Sequence, residues 1–135
     1  MRNYQILDSS TIDQDNVLLL SPAEDNPEKP TLSMSHEGIF ISLSASFGPL
    51  EIALRIRQAD LRRRLEQLYP VPGLATTHQI GSVNSYIAIG LTKDNRLVMR
   101  PTVVADAHGR VTFNLVTTPT LYETIVNWVG TESES

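Results

Sequence analysis

The chain contains no cysteine. That removes disulfides, thiolate metal ligands, iron–sulfur clusters and cysteine nucleophiles, and it suits a reducing compartment. Lysine is nearly absent too: the basic side chains are nine arginines and two lysines, Lys29 and Lys93. Arginine forks around carboxylates and phosphates and tolerates partial burial, so this bias favours specific pairing over a diffuse basic coat. Aromatic residues make up 6% of the chain, which leaves few platforms for stacking nucleobases. The longest apolar run near the start, Val17 to Leu20, is far too short to span a bilayer. The opening Met1-Arg2-Asn3-Tyr4-Gln5 carries no apolar export segment, and no Asn-x-Ser/Thr acceptor occurs. The expectation is a soluble cytoplasmic protein with no membrane contact.

A length of 135 residues suits a single domain, 1–135. A chain of this size hides about two-thirds of its extended surface on folding, enough for one core. Within it, residues 1–16 are polar with weak periodicity. Residues 21–31 hold Pro22, Pro27 and Pro30 beside Glu24, Asp25 and Glu28, which reads as an exposed acidic loop. Residues 131–135 read as a frayed acidic tail.

The middle of the chain has strand character. Ile39, Ile41 and Leu43 alternate with Phe40, Ser42 and Ser44; Gly48-Pro49 marks a turn; Leu50, Ile52, Leu54 and Ile56 then alternate with Glu51, Ala53, Arg55 and Arg57. A single long helix through Leu50, Leu54, Leu61, Leu65 and Leu68 competes with this, but it would push Ile52 and Ile56 onto a polar face. A hairpin accommodates both. Asp60 suits the cap of a following helix whose stripe is Leu61, Leu65 and Leu68, ended by Pro70, Pro72 and Gly73. Beyond it, Tyr86–Leu91, Arg96–Val104 and Val111–Leu115 again alternate. They are separated by Lys93-Asp94-Asn95 and by a turn over 106–109. Pro101 marks an edge or a bulge. Thr118 and Pro119 open a last helix with Leu121, Ile125 and Trp128 inward.

These elements give an α+β fold: an antiparallel sheet of about five to six strands in two hairpin units, with two helices packed on one face. A partly open, pleckstrin-like barrel with a C-terminal helix is the alternative architecture, by shape analogy alone.

The most distinctive feature of the chain is local. Arg55, Arg57, Arg62, Arg63 and Arg64 fall within ten positions of a protein whose net charge is -4. Such a cluster either meets an anionic partner or is neutralised by its own chain. In the docking reading, a strand–helix corner takes an acidic protein surface or a phosphorylated ligand through these five side chains. In the plainer reading they form a solvated face balanced by Glu51, Glu66 and the acidic loop. Nucleic acid is a weaker partner class, since only Tyr69 lies beside the cluster and no RNA- or DNA-binding motif is present.

Other chemistry has little to stand on. His36, His78 and His108 are widely separated and show no zinc-like spacing. Asp106 and His108 could start an acid–base pair, but such residues are common in plain turns. No nucleophile elbow, phosphate loop or dinucleotide fingerprint occurs. The reading is therefore a non-enzymatic binding or assembly domain with no cofactor and no metal. A small enzyme with a site built from dispersed residues is the alternative. Self-association through a sheet edge, suggested by Pro101, completes the list of expected partners.

Overall fold

The computed structural model describes residues 4–22, 30–105 and 109–131. Glu24, Asp25 and Glu28 of the acidic loop, the Asp106–His108 pair and the tail after Thr131 lie outside the described residues. Among the described residues the chain order opens with β1 (Gln5–Leu7), β2 (Ser9–Ile12), β3 (Leu18–Ser21), β4 (Thr31–Glu37), β5 (Phe40–Phe47) and β6 (Leu50–Arg57). Helix α1 (Gln58–Glu66) follows directly. Then come β7 (Pro70–Val71), β8 (His78–Gly81), β9 (Ser85–Thr92), β10 (Leu97–Ala105), β11 (Gly109–Thr112), β12 (Leu115–Thr117) and α2 (Pro119–Gly130).

The fold is α+β, with two helices and mostly antiparallel strands in two sheets, not closed into a barrel. Strands β2 to β6 form a five-stranded meander in sequence order, followed by α1. The seven-stranded sheet runs β1-β12-β10-β9-β7, with β11 on β10 and β8 on β9, and α2 follows it. Two pairings, β1 with β12 and β7 with β9, are parallel. The strand total exceeds the five to six read from periodicity because segments of two to four residues, such as β1, β7 and β8, carry no measurable alternation. Strands β7 and β8 form because the long β9 offers them a ladder, and β1 forms on the equally short β12.

Residues 50–57 are strand, and period two explains why. Ile52, Leu54 and Ile56 are buried, while Glu51, Ala53, Arg55 and Arg57 are exposed on the opposite face. The inward row continues across β5 through Ala45, Leu43 and Ile41. Both sheets and both helices share one core: Leu32, Leu43 and Leu54 from the first sheet, Ile89, Met99 and Leu115 from the second, and Leu61, Leu65, Ile125 and Trp128 from the helices.

Several local expectations are revised. Ile39 is in the β4–β5 turn and 62% exposed, not in the core row. Asp60 sits in the first turn of α1 rather than at its cap. Arg57 is the cap residue and makes no side-chain capping bond; instead the Gln58 N–H donates to the Ile39 carbonyl at 2.9 Å, so the strand ladder itself fixes the start of the helix. Pro101 is not at an edge. Strand β10 pairs with β9 from Leu97 to Val103 and with β12 and β11 on its other side. Pro101 falls at the gap between those two, where the Phe113 N–H donates to its carbonyl at 3.1 Å. The missing N–H is harmless at that break. Gly90 lies within β9, opposite Val98. The carbonyl of Ala75 crosses so closely over it that a β-carbon there would collide with backbone.

The last helix matches its sequence signals. Pro119 is at its first position, and the Thr118 hydroxyl accepts from the Leu121 N–H at 3.3 Å.

Candidate functional site

The five arginines divide between two surfaces. Arg55 and Arg57 project from the outer face of β6, and Arg62 and Arg63 from the exposed side of α1. Arg64 is half-buried and donates to the Gln67 side-chain carbonyl at 3.3 Å. Strand and helix meet without a linker, because Arg57 ends one and Gln58 begins the other.

Each surface carries its own counter-charge. Arg55 Nε stands 3.6 Å from a Glu37 carboxylate oxygen, and its guanidinium lies 5.2 Å from the centre of the Phe40 ring. Phe40 is thus the half-buried bed of an arginine, the outward position its alternation predicts. On the helix, Arg62 pairs with Glu66 at 3.4 Å and Arg63 with Asp60 at 3.0 Å. The three arginine side chains are about as exposed as one another, 62%, 58% and 57%. Pairs this wet are worth about 0.2–1 kcal/mol and exchange partners easily, so they neutralise the patch without locking it. Arg57 makes no ion pair to a carboxylate among the described residues.

The helix arginines border a depression of about 520 Å³ lined by Gly38, Ile39, Gln58, Ala59, Arg62, Arg63 and Glu66. Arg62 and Glu66 form the ridge between it and a smaller hollow, about 320 Å³, that runs to Val126 and Asn127 on α2. The larger depression is open. It joins an exposed isoleucine to two guanidinium groups, so it can take an apolar side chain with a neighbouring anion. Ile39 and Gln58 were not foreseen from the sequence. The available signal for Ile39 was Gly38 just before it, a natural first residue for a two-residue hairpin turn, and Gly38 has φ +63.

The floor of the corner is held by long-range bonds. The Gln58 side-chain amide donates to the Val129 and Thr131 carbonyls at 2.7 and 2.8 Å. His36 Nε2 donates to the Trp128 carbonyl at 3.1 Å, and the two rings pack with centroids 4.1 Å apart, tilted by 32°. Trp128 Nε1 donates to the Asn16 carbonyl at 3.0 Å. His36 therefore serves to end α2 and to pack against Trp128. Among the described residues no group of three His, Asp or Glu side chains could hold a metal ion, and no helix is long and apolar enough to cross a membrane.

No protein-family model, no curated protein and no solved structure matches the chain.

Proposed function

We propose that this protein is a non-catalytic docking domain that receives an acidic segment of another protein at the β6–α1 corner. The observation that carries this reading is the juxtaposition of Arg62 and Arg63 with the exposed Ile39 around one open depression. An acidic side chain on the partner would replace Glu66 or Asp60 at a guanidinium, and an adjacent apolar side chain would cover Ile39. Replacing one exposed carboxylate by another costs little, so the internal pairs compete with the partner rather than abolish binding. The site's shape also supports docking over catalysis: it is shallow, and its titratable groups are paired arginine and carboxylate side chains.

The test is titration of a fluorescent Asp/Glu-rich peptide against the intact chain and its Arg62→Glu/Arg63→Glu variant. Binding that falls at least about tenfold in the variant, and falls with salt in the wild type, supports the proposal. Equal binding by the two proteins refutes it. A phosphopeptide bound by the wild type while the acidic peptide is not would transfer the site to phosphate recognition.

A further inference from the structure

Among the described residues β6 is the longest strand that is paired along one side only. It keeps continuous register with β5 from Leu50 to Arg57, without bulge or proline. Its turn, Gly48-Pro49, is a two-residue loop closed by the pair Phe47 and Leu50. Such a closing pair exchanges both of its main-chain bonds, and bonded and non-bonded pairs alternate from there. The main-chain groups of Leu50, Ile52, Leu54 and Ile56 therefore face β5, and those of Glu51, Ala53, Arg55 and Arg57 face outward. The bond from the Gln58 N–H to the Ile39 carbonyl continues the same alternation. Among the described residues no strand pairs with β6 on its outer side. Regular edges of this length are usually blocked, because they template pairing with another chain.

We infer that the partner for this edge is a second copy of the same chain, joined antiparallel about Ala53 so that the five-stranded sheets of two copies become continuous. About that residue β6 is complementary to itself. Glu51 faces Arg55 of the second copy, Arg55 faces its Glu51, and Ala53 faces Ala53. On the inner side Leu50 meets Ile56, and Ile52 meets Leu54. Arg57 stands diagonal to Glu51 of the second copy on the same face, within reach of a long side chain. About six main-chain hydrogen bonds form across the three outward-facing pairs. Neighbouring registers are worse. Centring on Arg55 sets like charges opposite each other. Centring on Leu54 also sets Glu51 opposite Arg57, but it places Leu50 against Gln58, where the strand has already become helix. The hydroxyl of Ser44 holds one Glu51 oxygen at 3.0 Å, which leaves the other for the incoming guanidinium.

The inference stands apart from the acidic-segment reading, which uses Arg62 and Arg63. The test is the solution mass of the intact chain by light scattering, with three variants. The wild type is expected at twice the 15.0 kDa chain mass. Glu51→Arg, which sets arginine against arginine twice, should raise the dimer dissociation constant at least about tenfold. Adding Arg55→Glu to it should restore most of the affinity. Ala53→Pro should give a folded monomer, because the lost N–H faces outward and belongs to no existing ladder. Circular dichroism and thermal melting of that variant check that it is folded. A wild type at single-chain mass overturns the inference, as does a dimer that E51R and a folded A53P both leave intact. Acidic-peptide binding by monomeric A53P keeps the two proposals separable.

Discussion

Gln58 and Val129 are 71 residues apart, yet the side-chain amide of the first donates to the carbonyl of the second at 2.7 Å. With its second bond, to the Thr131 carbonyl, Gln58 satisfies the end of α2 from the start of α1. The carbonyls at a helix end have no partner within the helix and need one from elsewhere. Replacing Gln58 by Ala leaves a part-buried carbonyl unmatched. The expected loss is about 1–3 kcal/mol in urea unfolding, seen as a lower midpoint with an unchanged slope. The same change loosens one wall of the depression, so acidic-peptide binding by Gln58→Ala should weaken even though no charge is removed.

Gly90 supports a second prediction. A β-carbon at Gly90 would collide with the Ala75 carbonyl, whereas one at Gly109 would meet nothing within 4 Å. Gly90→Ala should therefore cost about 1–3 kcal/mol, as over-packed positions do. Gly109→Ala should be close to neutral. Thermal melts of the two variants check this, and equal behaviour would mean that residues 72–77 do not cross β9 as closely as described.

Asp94 gives the chain a specific acid response. Its carboxyl titrates below the ordinary 3.8, chiefly because the Thr92 hydroxyl donates to it. Desolvation opposes this as the next largest influence, and its own backbone N–H and the Arg96 guanidinium add to the lowering. A carboxyl lowered on folding stabilises the folded state above its unfolded value, and that contribution is lost as pH falls through the folded value. The β9–β10 turn should therefore loosen only below about pH 3.8. Asp94→Asn should remove this part of the acid dependence. Amide exchange at Asn95 and Arg96 across an acid titration reads it directly.

The sequence carried the architecture where periodicity is long enough to measure. Ile52 and Ile56 decided for strand over helix in 50–57, and Thr118 with Pro119 placed the start of α2. The chain also showed its two-part build, each antiparallel unit followed by a helix. What it hid depends on distance. Trp128 Nε1 reaches the Asn16 carbonyl 112 residues away, and no local pattern encodes that bond. Strands as short as Pro70–Val71 exist only through their partner. Gly90 looks like any other dispersed glycine until a distant carbonyl is laid over it. The arginine cluster was fully visible, but its division between a strand face and a helix face depends on side-chain direction. So does its pairing with Glu37, Asp60 and Glu66. The apolar member of the site, Ile39, was hidden because a hairpin turn took it out of the alternation it resembles.

The proposed docking sets a partner's carboxylates in competition with Glu66 and Asp60 for Arg62 and Arg63. It is tested most directly by measuring acidic-peptide affinity in two variants of opposite sign, Arg62→Glu/Arg63→Glu and Asp60→Asn/Glu66→Gln. The first should weaken binding at least about tenfold. The second frees both guanidinium groups and should strengthen binding by about twofold to thirtyfold, since exposed pairs are worth about 0.2–1 kcal/mol each. Affinity that is unchanged in both variants, or that falls when Asp60 and Glu66 are neutralised, would contradict docking at this corner.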